Sequence, residues 1–419
     1  MAIPRRLYLL IGAVIIFCGV FTYVGFGNTT RSDFGAYVSI PGSGEQQAGS
    51  DHRGPTEHKV QSTAVQGEEA RPTFRPGVVK LPGSNYTRVL VIARIKSENV
   101  SWIEEELPQE EAVIYVADDP TASLHPPRNK GHEVMIYLTY IIDHYDALPE
   151  IVLFMHSHRW THHNNDLQGA DAVRLVKTLS NERVVREGYM NLRCHWHEGC
   201  PGHLHPLSTE PDFHQMQSIM ARQWRQIFPS IPVPESLAQP CCAQFAVSRE
   251  RLRAIPLAEF ISYRDWLLRT PLTDYYSGRI WEYLWQFVFT GKSVLCPAEH
   301  ICYCDGFGLC FGSDEAYGDH TSLHQRQKTL EHDLNEWHRQ DDALRRYHAA
   351  MSTSRPTGPF SSPPAPVETP ALGRDIYLRD QIDALKRELE ARLAAAELRG
   401  ADPRLRAEEA GRAWREGER

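Results

Sequence analysis

Four histidines follow an apolar, strand-like run and fall within eight residues of one another. They are His156, His158, His162 and His163, directly behind residues 151–155. Ligands bind outside the carboxyl ends of strands in open α/β sheets, and imidazole is a ligand of Zn, Mn, Fe and Cu. His156 and His158 point to the same side if the strand continues. We therefore predict that His156, His158 and His163 bind a divalent metal, Mn, Zn or another; the alternative is a hydrogen-bonded polar loop without metal.

Two carboxylate positions could also do chemistry. Asp118 and Asp119 end a second apolar run, where they could contact a ribose hydroxyl or a metal, although Asp before Pro120 is also good turn chemistry. Glu282 lies in an otherwise apolar, aromatic helix, and a carboxylate among apolar neighbours has a raised pKa that suits a catalytic base. The alternative for Glu282 is pairing with Arg279 or with a neighbouring helix. We take Asp118 and Glu282 as candidate catalytic residues and Asp119 as a candidate substrate-binding residue.

A basic and polar turn, residues 128–133, stands where the next helix is predicted to begin. Free N–H groups at a helix start attract anions such as phosphate. Asn129 and Lys130 are therefore candidate substrate-binding residues. The alternative is plain N-terminal capping, in which Glu133 favours the helix dipole.

Nine cysteines are present, and Cys18 lies in the N-terminal apolar segment. In an oxidising compartment the remaining cysteines allow up to four disulfides. We expect Cys194 to pair with Cys200 rather than to form a zinc site, and adjacent Cys241 and Cys242 to bond to different partners. The full set of disulfide candidates is Cys194, Cys200, Cys241, Cys242, Cys296, Cys302, Cys304 and Cys310.

The compartment is predicted from the N-terminus. Residues 7–26 carry no charge and are long enough to cross a bilayer, and the arginine pair before them places residues 1–6 on the cytoplasmic side. We predict an uncleaved anchor, hence a single-pass type II membrane protein of the secretory pathway, in the Golgi, with its main domain lumenal. The alternative is a cleaved signal peptide. Glycosylation sequons at Asn85 and Asn99 agree with a lumenal domain.

Segments poor in large apolar residues enclose one folded domain. Residues 27–87 predict a disordered stalk. Residues 88–350 predict a single α/β domain, because buried-type strands alternate with a helix there. Residues 351–374 predict a Pro-rich linker, 375–399 a short amphipathic helix and 400–419 a charged tail. The apolar seam of that helix indicates either a lone charged helix or self-association; its residues are Leu378, Ile382, Leu385 and Leu389.

Composition and missing motifs exclude several classes of protein. The net charge is -8 and the pI is about 6.2, which argues against a nucleic-acid partner. The chain has no Walker loop, no Gly-x-Gly-x-x-Gly and no His-Glu-x-x-His. These absences lower the case for a kinase, a dinucleotide-binding enzyme or a common metalloprotease.

Several motifs carry a family resemblance. They are Val91-Ile92-Ala93-Arg94, Asn129-Lys130-Gly131-His132-Glu133, Tyr137-Leu138-Thr139-Tyr140-Ile141-Ile142-Asp143, Phe154-Met155-His156-Ser157-His158-Arg159, Asn191-Leu192-Arg193-Cys194, Gln244-Phe245-Ala246-Val247-Ser248-Arg249 and Cys302-Tyr303-Cys304-Asp305-Gly306-Phe307-Gly308. Together they resemble the fungal, membrane-anchored family catalogued as domain of unknown function 3431, over about 88–312. That family carries no settled activity, so the resemblance implies no reaction.

The order of these motifs also resembles, more weakly, the GT-A glycosyltransferases. This resemblance implies a single GT-A-like, Rossmann-like α/β lumenal domain behind the N-terminal transmembrane helix. In that comparison Arg94 ends the first strand, Asp118 or Asp119 contacts the nucleotide, and Asn129 begins the turn before the helix. All three would bind a nucleotide sugar.

The second half of the resemblance concerns the metal and the acceptor. His156 and His158 occupy the place of the acidic Asp-x-Asp metal motif. This departs from the GT-A pattern, because histidines are softer and neutral ligands. Arg249 follows the strand before the acceptor-site helix, and Glu282 corresponds to the base.

The sequence therefore leads to one main functional hypothesis and two alternatives. The main one is glycosyl transfer from a nucleotide sugar to a glycan or glycoprotein acceptor. The first alternative is a histidine-metal hydrolase or oxidase of secreted or cell-wall substrates. The second is a non-catalytic, membrane-anchored glycan-binding factor.

Overall fold

The computed structural model describes residues 74–81, 83–210, 216–353 and 368–414. These residues belong to one compact unit, 66–419. The predicted cytoplasmic segment 1–6, the transmembrane segment 7–26 and the stalk as far as residue 73 lie outside the described residues. Within the described ranges, no helix combines the length and the apolar character needed to cross a membrane.

A five-stranded mixed sheet forms the centre of the domain. The strands are β1 (Arg88–Arg94), β2 (Glu111–Val116), β3 (Ile151–His156), β4 (Tyr189–Asn191) and β5 (Phe245–Ser248). Their order is β2-β1-β3-β5-β4. β1 pairs in parallel with β2 and with β3, whereas β5 runs antiparallel to β3 and β4.

Thirteen helices surround the sheet in the described part of the chain. In chain order they are α1 (Ser101–Glu106), α2 (Val134–Asp143), α3 (Ala172–Thr178), α4 (Asn181–Glu187), α5 (Met216–Ile227), α6 (Arg249–Arg253), α7 (Leu257–Arg269), α8 (Asp274–Glu282), α9 (Trp285–Thr290), α10 (Glu299–Phe307), α11 (Asp314–Thr353), α12 (Arg374–Gly400) and α13 (Pro403–Glu409). Short 3₁₀ turns occupy Tyr145–Ala147 and Asp166–Gln168.

Apolar residues cover both faces of the sheet, as a continuous apolar strand requires. Val89 and Val91 of β1 enter one core with α2, α5, α7, α8 and α9. Leu90 and Ile92 enter the other core with α1, α3, α4 and α10. Alternate residues of one strand thus enter two separate cores, which confirms the prediction of an α/β domain.

The packed region is wider than the predicted 88–350. Before β1, the Phe74 ring lies under the Arg251 guanidinium at 4.4 Å, and the Gly77 backbone N–H donates to the Arg186 carbonyl at 2.9 Å. After the predicted linker, α12 begins one residue before the predicted 375–399 and packs along α11. The segment 400–414 is not a free tail, because α13 packs against α10.

The apolar seam of α12 is covered within a single chain. Its four members lose nearly all of their solvent exposure against the same molecule, so none of them needs a second copy for burial. They are Leu378, Ile382, Leu385 and Leu389.

All eight described cysteines form disulfides, as predicted, but two predicted pairings are wrong. The bonds are Cys194–Cys302, Cys200–Cys296, Cys241–Cys242 and Cys304–Cys310. The predicted Cys194–Cys200 bond does not form, because the fold brings the segments around α10 next to both residues. Cys241 and Cys242 bond to each other, since the other six described cysteines are paired among themselves and leave no separate partners.

Candidate functional site

A polar pocket of about 300 Å³ opens at the carboxyl ends of β1 and β3. β2 and β3 follow β1 in the chain and lie on opposite sides of it in the sheet. The strand order therefore reverses between β1 and β3. Open α/β sheets bind ligands at such a switch point. The polar side chains that line the pocket are Arg94, Glu98, Asn129, His132, Glu133, His156, Ser157, His158 and Asp274.

The loops after β1 and β2 are fastened to each other by the two predicted aspartates. Asp118 Oδ1 accepts a hydrogen bond from the Lys96 backbone N–H at 2.7 Å. Asp119 pairs with the Lys96 ammonium at 2.9 Å. Hydrogen bonds from Thr121 first, and then from Lys96, hold the pKa of Asp119 well below its usual range. Neither aspartate is among the residues that line the pocket; both hold the loop that follows Arg94.

The histidine cluster is divided between two sets of partners. His156 is the last residue of β3, and its Nδ1 lies 2.8 Å from His163 Nδ1, a hydrogen-bond distance. Burial first, and then the neighbouring histidines, lower the pKa of His156 to about 3; burial likewise lowers that of His163 to about 4. His158 is 60% exposed, and its Nε2 stands 3.6 Å from Glu98 Oε1. His156 and His163 are thus neutral at pH 7 and bonded to each other.

The three predicted metal ligands do not fit an ion in this arrangement. Two imidazole nitrogens bound to one tetrahedral Zn²⁺ lie about 3.3 Å apart, farther than the His156–His163 contact, and His158 contacts a different group. In the described ranges, the groups of three or more ligand atoms within 4.8 Å of one another are Glu198–Cys241–Cys242 and Cys304–Cys310–Glu409. Both groups contain disulfide sulfurs, and neither contains a histidine.

Glu133, for which the sequence indicates only a role at the helix start, lines the pocket. It directly precedes the apolar helix α2 and faces the pocket. Burial first, and then the charge of Glu282, raise its pKa to about 8. Burial also raises the pKa of Glu282, at the end of α8, although Arg279 opposes this. The signal in the sequence was an acidic residue directly before a helix whose first five residues are apolar or aromatic.

The turn before α2 separates the two predicted anion-binding residues. Asn129 lines the pocket, whereas the Lys130 ammonium donates to the Leu272 carbonyl and lies 3.6 Å from Asp274 Oδ1. Gly131 has φ +69°, and a Cβ there would stand 2.7 Å from Leu267 Cδ1. This close packing directs Lys130 toward α8, so Asn129 remains the pocket residue of the pair.

Arg249 lies at the opposite end of the strands from the pocket. Its backbone N–H donates to the carbonyl of Glu150, immediately before β3 begins. Because β5 runs antiparallel to β3, the end of β5 meets the start of β3. Arg249 pairs with Glu250 at 3.5 Å and is not part of the pocket. The sequon residues Asn85 and Asn99 are both exposed.

The fold and the pocket define a class: an α/β domain with a mixed sheet and a polar site at its switch point. The chain belongs to the family described as Protein of unknown function (DUF3431), whose model matches residues 90–305. This confirms the resemblance to that family. The match runs from β1 into α10 and so includes all five strands and the pocket. No curated protein and no solved structure matches the chain.

Proposed function

We propose that this protein is a glycosyltransferase that binds a nucleotide sugar in the switch-point pocket. The observation that carries the proposal is the convergence of Arg94, Asn129 and Glu133 where the strand order reverses between β1 and β3. A cationic group, an amide and a buried carboxyl in one cleft are suited to a diphosphate, a polar sugar and a reacting hydroxyl, respectively. The GT-A resemblance of the sequence motifs agrees with this assignment.

Arg94 and Asn129 are assigned to the donor. The Arg94 guanidinium donates to the carbonyls of Ile95 and Lys96 at 3.2 and 3.0 Å and has no carboxylate partner among the described residues. Its positive charge is thus available to a diphosphate. Asp118, which fastens the Lys96 loop, shapes the nucleotide edge of the site. Negative charge develops on the diphosphate as it leaves, and a fixed guanidinium stabilises that charge.

Glu133 and Glu282 are assigned to the acceptor. An oxygen of the acceptor hydroxyl forms a bond to the anomeric carbon while the bond from that carbon to the phosphate oxygen breaks. The hydroxyl proton passes to the carboxylate of the pair, and the nucleoside diphosphate leaves. Because burial raises the pKa of both carboxyls, the ionised member is a stronger base than an exposed glutamate.

A secretory location belongs to the same proposal. Four disulfides in the described residues favour an oxidising compartment. The exposed sequon residues Asn85 and Asn99 favour it as well. We propose a type II membrane protein of the Golgi, anchored by residues 7–26, with a glycan or glycoprotein as the acceptor.

The test is binding of nucleoside diphosphates to the purified full chain, followed by a panel of nucleotide sugars. Arg94→Ala should weaken binding at least about tenfold, which is about 1.4 kcal/mol. Arg249→Ala removes a similar charge at the opposite end of the strands and should leave affinity unchanged. If no nucleoside diphosphate binds, or if both variants lose affinity equally, the proposal fails. Binding without sugar transfer would replace it with the non-catalytic alternative.

A further inference from the structure

Glu98 lines the switch-point pocket and has no part in the donor and acceptor assignments above. It ends the tight turn that follows β1, where its backbone N–H donates to the Ile95 carbonyl at 3.1 Å. The Glu98 side chain is partly buried. A carboxylate accepts hydrogen bonds and donates none, and it repels a phosphate group. Its place in the pocket therefore indicates a part of the ligand that donates hydrogen bonds.

One oxygen of Glu98 is held and the other is available. Oε2 accepts hydrogen bonds from the Ile95 backbone N–H at 2.9 Å and from the Ser157 hydroxyl at 2.8 Å. Oε1 lies 3.6 Å from His158 Nε2 and accepts no hydrogen bond from the residues that the structure describes. Because Ser157 directly follows β3, the carboxylate is fixed from two neighbouring strand ends. Its second oxygen can accept hydrogen bonds from a ligand without rearrangement.

The cation in the same turn does not neutralise Glu98. The Arg94 guanidinium donates to the carbonyls of Ile95 and Lys96, and no ion pair joins it to Glu98 in the described part of the chain. Lys96 pairs instead with Asp119 at 2.9 Å. Arg94 and Glu98 both line the pocket. The turn thus supplies a guanidinium suited to phosphate and a separate carboxylate suited to hydroxyl groups.

The other carboxyl groups of the pocket carry less uncompensated charge. Asp274 Oδ1 accepts the Gly131 backbone N–H at 3.1 Å and lies 3.6 Å from the Lys130 ammonium. Burial raises the pKa of Glu133 to about 8, so Glu133 keeps its proton at pH 7. Glu98 is therefore the carboxylate among the described pocket residues whose charge no paired lysine or arginine offsets.

Neutral and acidic sugars differ in how this carboxylate acts on them. The hydroxyls of a neutral sugar donate hydrogen bonds to a carboxylate, and such charge-assisted bonds are stronger than neutral ones. A uronic acid carries a second carboxylate in place of a hydroxymethyl group, and that carboxylate accepts but does not donate. Two carboxylates in one pocket repel each other, and such like-charge contacts exclude wrong ligands.

We propose that Glu98 accepts hydrogen bonds from the hydroxyls of the donor sugar and restricts the transferred group to neutral, hydroxyl-rich sugars. This inference rests on the proposed glycosyltransferase function, in which Arg94 binds the diphosphate. The diphosphate and the sugar belong to one donor molecule, and the turn after β1 supplies a group for each. Glu98 is in this role a specificity-determining residue.

The test compares two nucleotide sugars that carry the same nucleoside diphosphate and differ by one carboxylate. They are UDP-glucose and UDP-glucuronate, or the glucose and glucuronate derivatives of whichever nucleoside diphosphate binds. Calorimetry with the purified full chain at pH 7 gives both dissociation constants. The wild type should bind the neutral member at least about tenfold more tightly, because the acidic one meets a like charge.

Glu98→Gln removes the charge and keeps an oxygen acceptor, so the ratio of the two affinities should fall at least about fivefold. Both ligands carry the same diphosphate, so any effect of Glu98 on the diphosphate cancels in this ratio. Glu104→Gln makes the same chemical change at an exposed position of α1 and is the matched control. Its ratio should equal that of the wild type.

A Glu98 that only holds Ser157 and the turn would give a different result. Glu98→Gln would then change the affinity for both ligands equally and leave their ratio as in the wild type. That outcome would overturn the inference, as would equal binding of both ligands by the wild type or an equal shift in Glu104→Gln. All three leave the glycosyltransferase proposal standing. If no nucleoside diphosphate binds at all, both proposals fail together.

Discussion

Two regions of the molecule bury carboxyl groups in opposite ways. Burial raises the pKa of Glu133, which lines the switch-point pocket, and of Glu282 at the end of α8, and the charge of Glu282 adds to the effect on Glu133. At the C-terminal end of α10, Asp305 is 5% exposed and surrounded by arginines. Its oxygens lie 2.5 Å from Arg186 and 3.2 Å from Arg412.

The arginines determine the difference between the two regions. Burial alone would raise the pKa of Asp305, but Arg183 and the other guanidinium groups hold it below its usual range. The carboxylate of Asp305 therefore joins α4, α10 and the segment after α13 as a structural ion cluster. Glu133 lacks such compensation, and Arg279 only partly offsets the burial of Glu282, so both carboxyls are retained at a cost in stability, which is typical of groups kept for chemistry.

The largest expected effect is at Asp305. Asp305→Ala would leave Arg183, Arg186 and Arg412 without their carboxylate, and breaking a buried pair costs about 3–5 kcal/mol. We expect a loss of that size in the free energy of unfolding, measured by chemical denaturation, with faster proteolysis of the segment after α12. Asp319→Ala, an exposed position on α11, is the control and should stay within about 0.5 kcal/mol of the wild type. An equal, small effect in both variants would show that the cluster is not structural.

This contrast was only partly visible in the sequence. β1, β2 and β3 could be predicted because strands buried on both faces read as continuous apolar runs. The direction of β5 could not, since short strands 245–248 and 151–156 carry no local sign of how they pair. The motif resemblance makes Arg249 a substrate-binding candidate, whereas the structure places it at the opposite end of the strands from the pocket. Asp305, noted only inside a family motif, gave no hint of its arginine partners, which come from distant segments.

The site was predictable to a similar degree. The position of the pocket followed from Arg94 and His156 at strand ends and from Asn129 in the turn before α2. The raised pKa of Glu133 depends on burial and on Glu282, which is far away in the chain, so the local sequence indicates only the start of a helix. The disulfide partners of Cys194 and Cys200 depend on long-range packing for the same reason.

A smaller effect should distinguish the pocket from the arginine cluster by its dependence on pH. The pKa of Glu133 is raised from 4.5 to about 8, so the folded state keeps a proton that the unfolded state has lost. Its contribution to stability is present below the ordinary glutamate pKa and is lost as pH rises toward 8, by at most about 1.4 kcal/mol per pH unit. Glu133→Gln should therefore gain stability relative to the wild type between pH 5 and pH 8.

Denaturation of both proteins across that range measures the difference in their free energies of unfolding. The histidines are the same in both proteins, so their contributions largely cancel. Glu104→Gln, an exposed glutamate of α1, should show no such gain. A constant difference between the wild type and Glu133→Gln at every pH would contradict a raised pKa. Glu133→Gln should also lose sugar transfer if Glu133 takes part in deprotonating the acceptor hydroxyl, so gained stability and lost activity would coincide.

The smallest expected effect tests whether Glu133 and Glu282 act on each other. Repulsion between Glu133 and Glu282 disappears once either is replaced. At pH 8 the stability gained by the double variant should therefore be smaller than the sum of the gains from Glu133→Gln and Glu282→Gln. A double-mutant cycle should give a coupling of about 0.5 kcal/mol or more, which vanishes near pH 4, where both carboxyls hold protons. Pairing Glu282→Gln with Glu104→Gln supplies an additive control. Additivity at pH 8 would mean that burial alone raises the pKa of Glu133 and that the two glutamates do not form a coupled acid pair.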